Sequence, residues 1–382
     1  MTCFFNCFLQ VFRQGLSFRG RRKLRYVVAL LAVFLVLKYS FLLLLGKASV
    51  QKVETTGANS HNVIANASYV SYNSKKVVVV AYCKEDWAYK GLFELFNVSH
   101  KWWYFVLKEE PERADVIAHS PWGTCSGKYP NATKIFIDME PNAHRGSEHS
   151  ITVSTVKPAE SSSNVLYIPY ALWSFAERKA AVTTDLLRNL SYSEAEKKWK
   201  AKSWFAAFAA RYCSRDNKLG ETRTQFFDIL STKYKPVHAL GNCRHNMDPP
   251  SRVDPPYDNN RDMVIQWYRP YKFSFCFENS QLTGYITEKL FNSFLADTIP
   301  IYWGAPNIDE LVNTNAIIVC NEENNTFESC IKQIIALDSN STLWIQKLQT
   351  PLFKGGALPS WLLWRTYSEQ LLSMLAKFLD EK

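Results

Sequence analysis

A glutamate and a lysine stand side by side at Glu288 and Lys289, one short polar loop after the apolar run 273–277. That loop carries Asn279, Ser280, Gly284 and Tyr285. An arbitrary Glu-Lys pair is an exposed helix start. The apolar run and polar loop in front of this one favour a ligand site. Lysine at a helix start can neutralise a diphosphate, and the free N–H groups and positive dipole end of the helix act in the same direction. Glu288 would repel phosphate but suits ribose hydroxyls, from which a carboxylate accepts well. Asn279 offers both donor and acceptor. Tyr285 could touch a nucleotide or sugar, or simply pack.

Two further positions belong to the same chemistry. Arg223 lies early in a stretch of helical spacing, 214–234, and an arginine fork holds phosphate bidentately. Arg211 and Arg215 compete with it as surface or phosphate arginines. Residues 134–141, KIFIDMEP, read as a strand ending in acid, with Glu140 at its carboxyl edge before Pro141. Asp138 is the rival acid: with Ile135 and Ile137 on one face, it shares the other with Phe136 and Glu140. His119 and His144 lie near strand ends and could meet a substrate or be merely solvated. Trp102, Trp103, Trp122 and Trp173 could stack on sugar, although most tryptophans in so apolar a chain are core.

The elements that must position these groups alternate. Strand candidates are 77–80, 102–107, 115–118, 134–138 and 165–168, then 204–208, 236–240, 273–277, 298–304 and 316–319. Helical patterns cover 193–202, 214–234, the stretch from 285, 327–337 and 361–379. Alternating strands and helices predict doubly wound α/β domains with parallel sheets. Ligands of such sheets bind at the carboxyl ends of strands. The expected organisation is a cytosolic tail (1–25), a transmembrane signal anchor (26–46), a stem (47–74), an N-terminal acceptor-side Rossmann-like domain (75–190), a C-terminal nucleotide-binding Rossmann-like domain (191–350) and a helical segment (351–382) that packs on the body, with a return to the first domain open to it.

The segment 271–306, YKFSFCFENSQLTGYITEKLFNSFLADTIPIYWGAP, closely resembles the donor motif of the α-1,3-fucosyltransferases, glycosyltransferase family 10. In that family an F-E-N-S loop and a Y-V/I-T-E-K helix start sit beside the diphosphate of GDP-fucose. The resemblance is traceable more weakly over 77–319. It implies a GT-B architecture of two Rossmann-like domains facing a cleft, with Asn279, Tyr285, Glu288 and Lys289 lining the donor site and Arg223 on the donor phosphates. It also implies Glu140 as the general base, although Met139-Glu140-Pro141-Asn142 shortens the family's turn. The implied reaction is inverting transfer of L-fucose from GDP-β-L-fucose to a GlcNAc-containing glycan, forming an α-1,3 linkage. Rival readings are a GT-B enzyme using another nucleotide sugar and a non-catalytic membrane-tethered glycan-binding protein. Lewis-type N-acetyllactosamine and the core chitobiose of N-glycans are both open as acceptors, because 141–166 resembles the family poorly.

Composition narrows the partners. At 47% hydrophobic and 14% aromatic, the 382-residue chain suits packed domains rather than disorder. Of the net charge of +10, nine units lie in the first 53 residues, which hold no acid, leaving +1 for the rest. Nucleic acid is therefore not an expected partner. Six of those cations, Arg13 to Arg25, precede the apolar span 26–46, which is close to the ~20 residues a bilayer requires. The positive-inside rule then orients a single-pass type II protein, expected in the Golgi membrane with its body in the lumen. A cleaved signal peptide is the alternative. Six sequons, at Asn66, Asn97, Asn131, Asn189, Asn324 and Asn340, agree with a secretory route and predict surface asparagines. Seven cysteines would be luminal, so intramolecular pairing leaves at least one over, and Cys276 reads as a core residue. The chain has no Asp-x-Asp motif and no ligand cluster with metal spacing; Lys and Arg are expected to do a cation's work, with no obligatory metal and at most a stimulatory divalent ion.

Overall fold

Runs of β-branched and aromatic residues build two parallel sheets. The computed structural model describes residues 75–379 apart from 85–88, 124, 142–149, 161, 177–184, 215–219, 251–259 and 323–325. The expected anchor and stem, His144, Arg215, Asn66 and Asn324 lie outside the described residues. Among those described, no helix is long and apolar enough to cross a membrane.

The first sheet comprises β1 (Lys76–Tyr82), β2 (Trp103–Glu109), β3 (Val116–His119), β4 (Thr133–Asp138), β5 (Ile151–Ser154) and β6 (Val165–Tyr167), in the order β2-β1-β3-β4-β5-β6. Every pairing is parallel. β5 was not foreseen: ITVS is four residues long and buried throughout, so it shows no alternation to detect. The second sheet comprises β7 (Trp204–Phe208), β8 (His238–Ala239), β9 (Tyr271–Phe277), β10 (Ile299–Trp303) and β11 (Ile318–Val319), in the order β11-β10-β9-β7-β8. Numbered within its own half, each sheet runs second, first, third, fourth, fifth strand, and the first sheet adds a sixth. That is the flavodoxin-like order, with its switch point between the first and third strands. The switch points are β1/β3 and β7/β9.

Helices flank the strands: α1 (Tyr89–Phe96), α2 (Tyr170–Ala176), α3 (Tyr192–Lys200), α4 (Glu221–Lys233), α5 (Asn260–Tyr268), α6 (Glu288–Leu295), α7 (Glu328–Ser339), α8 (Ser341–Gln349) and α9 (Trp364–Leu379). Both sheets belong to one compact unit, Tyr69–Lys382. α9 crosses back from the second half to the first. Its Leu371, Leu375 and Leu379 are buried in one core with Val78, Val80 and Ile135. Lys76 Nζ donates to the carbonyl of Leu379 at 3.4 Å.

α6 bridges the halves because its two faces differ. Leu290, Phe291 and Phe294 enter the first core, each burial contributing about 1.5–3 kcal/mol. On the other side Ser293, Ser274 of β9 and Thr298 share hydroxyl hydrogen bonds, with Ser274 Oγ to Thr298 Oγ1 at 2.6 Å and Ser293 Oγ to Thr298 Oγ1 at 2.7 Å. Behind β9 the second core is aromatic: Phe226 of α4 lies 4.9 Å from Phe277 and 5.0 Å from Phe275, centroid to centroid.

Three disulfides, Cys83–Cys125, Cys213–Cys243 and Cys320–Cys330, account for six of the seven expected luminal cysteines. Cys276 is the free one; burial pushes its thiol up to about 12. It is a core residue, as its strand position predicts.

Candidate nucleotide-binding site

The β7/β9 switch point opens onto a pocket of about 170 Å³ at the carboxyl ends of both strands. Phe208, Ala210, Phe275 and Phe277 form its strand side, Val264 and Tyr268 of α5 and Asn292 of α6 line it further, and Arg223, Glu288 and Lys289 bring its charge. Charged residues from two separate parts of the sequence thus meet in the crevice where an open α/β sheet binds ligands.

Each charged group has a local reason for its place. α6 begins at Glu288, three residues later than the pattern suggests, because Thr287 is its N-cap. The Thr287 backbone is extended, and its side chain accepts from the Lys289 N–H. Glu288 and Lys289 therefore occupy the first turn, beside the positive end of the helix. Arg223 occupies the first turn of α4, whose N-cap is Gly220 at φ +83. A Cβ on Gly220 would lie 2.6 Å from Arg223 Nη2, so only glycine lets the guanidinium cross the helix start. That guanidinium is buried and donates to Asn279 Oδ1 at 3.2 Å and to the carbonyl of Tyr212 at 2.7 Å. Asn279 thus acts on Arg223 directly.

The residue that pattern reading passed over is Glu278. It is fully buried at the end of β9. Its Oε1 accepts from the Thr287 N–H at 2.8 Å, and its Oε2 accepts from Thr287 Oγ1 at 2.7 Å and Lys289 Nζ at 3.1 Å. Burial raises the Glu278 carboxyl pKa; Lys289 and the two Thr287 donors pull it back. Burial likewise works against the Lys289 ammonium, but Glu278 and Glu288 outweigh it and hold the pKa above the usual lysine value. An isolated buried charge costs several kcal/mol, so this pairing keeps Lys289 charged at the pocket. Lys289 Nζ spends two of its three N–H donors on Glu278 and Thr287, the latter at 3.0 Å. Lys289 is thus a shared cation. An acid that ends an apolar strand eleven residues before a lysine was the available signal, because such an acid must be paired to be buried.

The loop carrying these groups is fastened to the first half. Lys157 N–H donates to Thr283 O at 2.8 Å, Tyr167 Oη to Gly284 O at 2.6 Å, and Ala171 N–H to Ile286 O at 3.0 Å. Gly284 has φ +78, and a Cβ there would fall 2.6 Å from the Tyr167 hydroxyl oxygen. Tyr285 is buried at 3% exposure. Burial pushes its phenol pKa well up, and the charges of Glu278 and Glu140 add to that. Glu140 belongs to the first half. It stands two residues past β4, half-buried, while Ile135, Ile137 and Met139 fill the core. Asp138, its rival, is buried at the strand end. His119 is buried edge-on to Phe136 at 5.5 Å, and Arg211 is exposed with its guanidinium 5.4 Å from the Tyr212 ring. Asn97, Asn131, Asn189 and Asn340 are exposed. Among the described residues no His, Cys, Asp and Glu group could hold a metal.

Residues 199–349, which include β7 through α8 and the whole pocket, match the family model described as glycosyltransferase family 10 (fucosyltransferase) C-term. Those 151 of the chain's 382 residues are similar to the C-terminal domain of that fucosyltransferase family. Among curated relatives, the alpha-(1,3)-fucosyltransferase FucT of Helicobacter pylori is 30% identical over 152 residues, 40% of this chain and 28% of the relative. The GDP-fucose protein O-fucosyltransferase 3 of Xenopus laevis is 32% identical over 120 residues, 31% of this chain and 26% of the relative. The chain spans only about a quarter to a third of the length of such relatives. A crystal structure of an alpha1,3-fucosyltransferase with GDP-fucose superposes with a TM-score of 0.57 over 86% of this chain and 94% of that one, at 20% identity. That likeness concerns the fold, an α/β architecture of two parallel sheets.

Proposed function

We propose that this protein transfers L-fucose from GDP-β-L-fucose to a GlcNAc-containing glycan, forming an α-1,3 linkage with inversion at the anomeric carbon. The observation that carries the reading is the meeting of Arg223, Glu288 and Lys289 in one pocket at the switch point of a family 10 domain. Arg223 and Lys289 would hold the diphosphate, Glu288 the ribose hydroxyls, and Asn279 the guanidinium of Arg223. Glu140 would take the proton from the acceptor hydroxyl as its oxygen bonds to the anomeric carbon and the bond to GDP breaks. The pocket's two cations would meet the charge that grows on the leaving diphosphate. No obligatory metal is part of this reading.

A luminal body on a type II anchor at 26–46 in the Golgi membrane fits the six sequons and the basic N-terminus. A glycan or glycoprotein is then the acceptor. A second acceptor class, a protein hydroxyl, is favoured by one observation: relatives named GDP-fucose protein O-fucosyltransferase 3 are as similar to this chain as those named for the α-1,3 linkage.

The test is incubation of the full chain with GDP-fucose and each of three acceptors: N-acetyllactosamine, a core chitobiose glycopeptide and an unglycosylated Ser/Thr peptide. Linkage analysis should find α-1,3-fucose on GlcNAc. Fucose on the peptide hydroxyl alone would move the protein to the second reading. Transfer from another nucleotide sugar but not from GDP-fucose would end both. Failure of GDP to raise the melting temperature would favour a non-catalytic glycan-binding protein.

A further inference from the structure

Far from the pocket, a groove of about 690 Å³ runs between the loop after α1 and the outer face of α9. That volume is in the range of about 300–1,000 Å³ typical of small-ligand sites. One wall is Asn97-Val98-Ser99-His100, and the other comes from α9. The first wall is a sequon, with Asn97 exposed.

We propose that an N-linked glycan on Asn97 seats its inner N-acetylglucosamine residues in this groove and so clasps α9 to the first half. The proposal rests on the luminal reading above. Its occupant is fixed by covalent tether: a sugar attached to Asn97 starts at the groove wall and needs no search. The chemistry fits an amphipathic sugar. Val98 and Ala376, both partly exposed, offer apolar surface to the ring and acetyl methyl; Ser99, Glu369 and Ser373 offer donors and acceptors to hydroxyls and amide. The groove floor is firm. His100 stacks on Trp103 at 4.4 Å, and Trp364 meets Trp173 edge-on at 5.5 Å. Arg365 and Glu369 pair at 2.8 Å along its exposed rim. Asn131, Asn189 and Asn340 are exposed too, but they do not line this groove. They serve as internal controls.

The experiment uses the full chain made through a secretory route. The native protein is treated with an endoglycosidase that cuts between the two inner N-acetylglucosamines, and each site is followed by mass spectrometry. Glycans on the control asparagines should be trimmed first, with the Asn97 glycan at least tenfold slower. Unfolding should erase that difference, as should Ser373→Trp, which fills the groove. Equal trimming rates in the folded wild type overturn the proposal, as does an unoccupied Asn97 when the controls carry glycans. An absence of glycan at every sequon overturns the luminal reading along with it.

Discussion

The two halves share a strand order and differ at the crevice it creates. At β7/β9 the carboxyl ends open onto a pocket with two cations and two carboxylates around it, Arg223, Lys289, Glu278 and Glu288. At β1/β3 the same position is closed. Cys83, one residue past β1, is bonded to Cys125, and Tyr129 packs with Ala81 and Ile117 beside it, its hydroxyl donating to Pro111 O at 2.6 Å. Topology supplies the crevice in both halves; side chains decide which one receives a ligand. In the proposed mechanism the first half contributes instead from one strand further along, through Glu140 beyond β4.

The largest effect that can break this contrast concerns Glu140. Glu140→Gln should lower kcat by about 10²- to 10⁴-fold, the worth of a general base, with GDP affinity unchanged by calorimetry. Unchanged turnover would remove the first half from the chemistry. Next come the pocket cations. Lys289→Met or Arg223→Met should weaken GDP binding by about 10- to 100-fold, since a hydrogen bond to a charged group contributes about 1.5–3 kcal/mol. An unaltered dissociation constant in both would place the diphosphate elsewhere.

A smaller, pH-dependent effect isolates Glu278. Its charge holds the Lys289 pKa above the ordinary lysine value against burial. A raised lysine stays charged until pH climbs through its folded pKa. Glu278→Gln leaves the burial and removes that support, so the lysine loses its proton at lower pH. GDP affinity of the variant relative to wild type should fall as pH rises from 7 to 10. In Glu278→Gln/Lys289→Arg the fall should vanish, because guanidinium does not titrate there. A ratio independent of pH in the single variant would reduce Glu278 to a packing role. The smallest effect should come from the closed crevice. Cys83→Ala/Cys125→Ala should cost about 2–4 kcal/mol of unfolding free energy yet move GDP affinity by less than about twofold. A large loss of GDP affinity would show that the β1/β3 edge is no mere closure.

Much of the second half was legible in residues alone. The run 273–277, the polar loop and the first-turn Glu288-Lys289 pair signalled strand, turn and helix. β7 falls at 204–208 as its aromatic run predicts. Local pattern failed where partners are distant. Glu278 could be seen next to Asn279, but its burial depends on Thr287 and Lys289 folding back over it. β5 is defined by its neighbours β4 and β6 rather than by any alternation of its own. The disulfide partners of Cys83, Cys213 and Cys320 lie 42, 30 and 10 residues away, and no spacing rule picks them out. Tyr285 has two readings because an aromatic after a glycine turn serves packing and contact equally well; it is buried in a loop held against Tyr167 and Lys157.

The central claim is that the β7/β9 crevice, not its β1/β3 counterpart, receives the nucleotide. A crystal structure of the protein with GDP tests it most directly. The account predicts diphosphate oxygens within hydrogen-bond distance of Arg223 and Lys289 and ribose hydroxyls on Glu288. A nucleotide lodged at the β1/β3 edge, or bound with Arg223 and Lys289 out of reach, would contradict it.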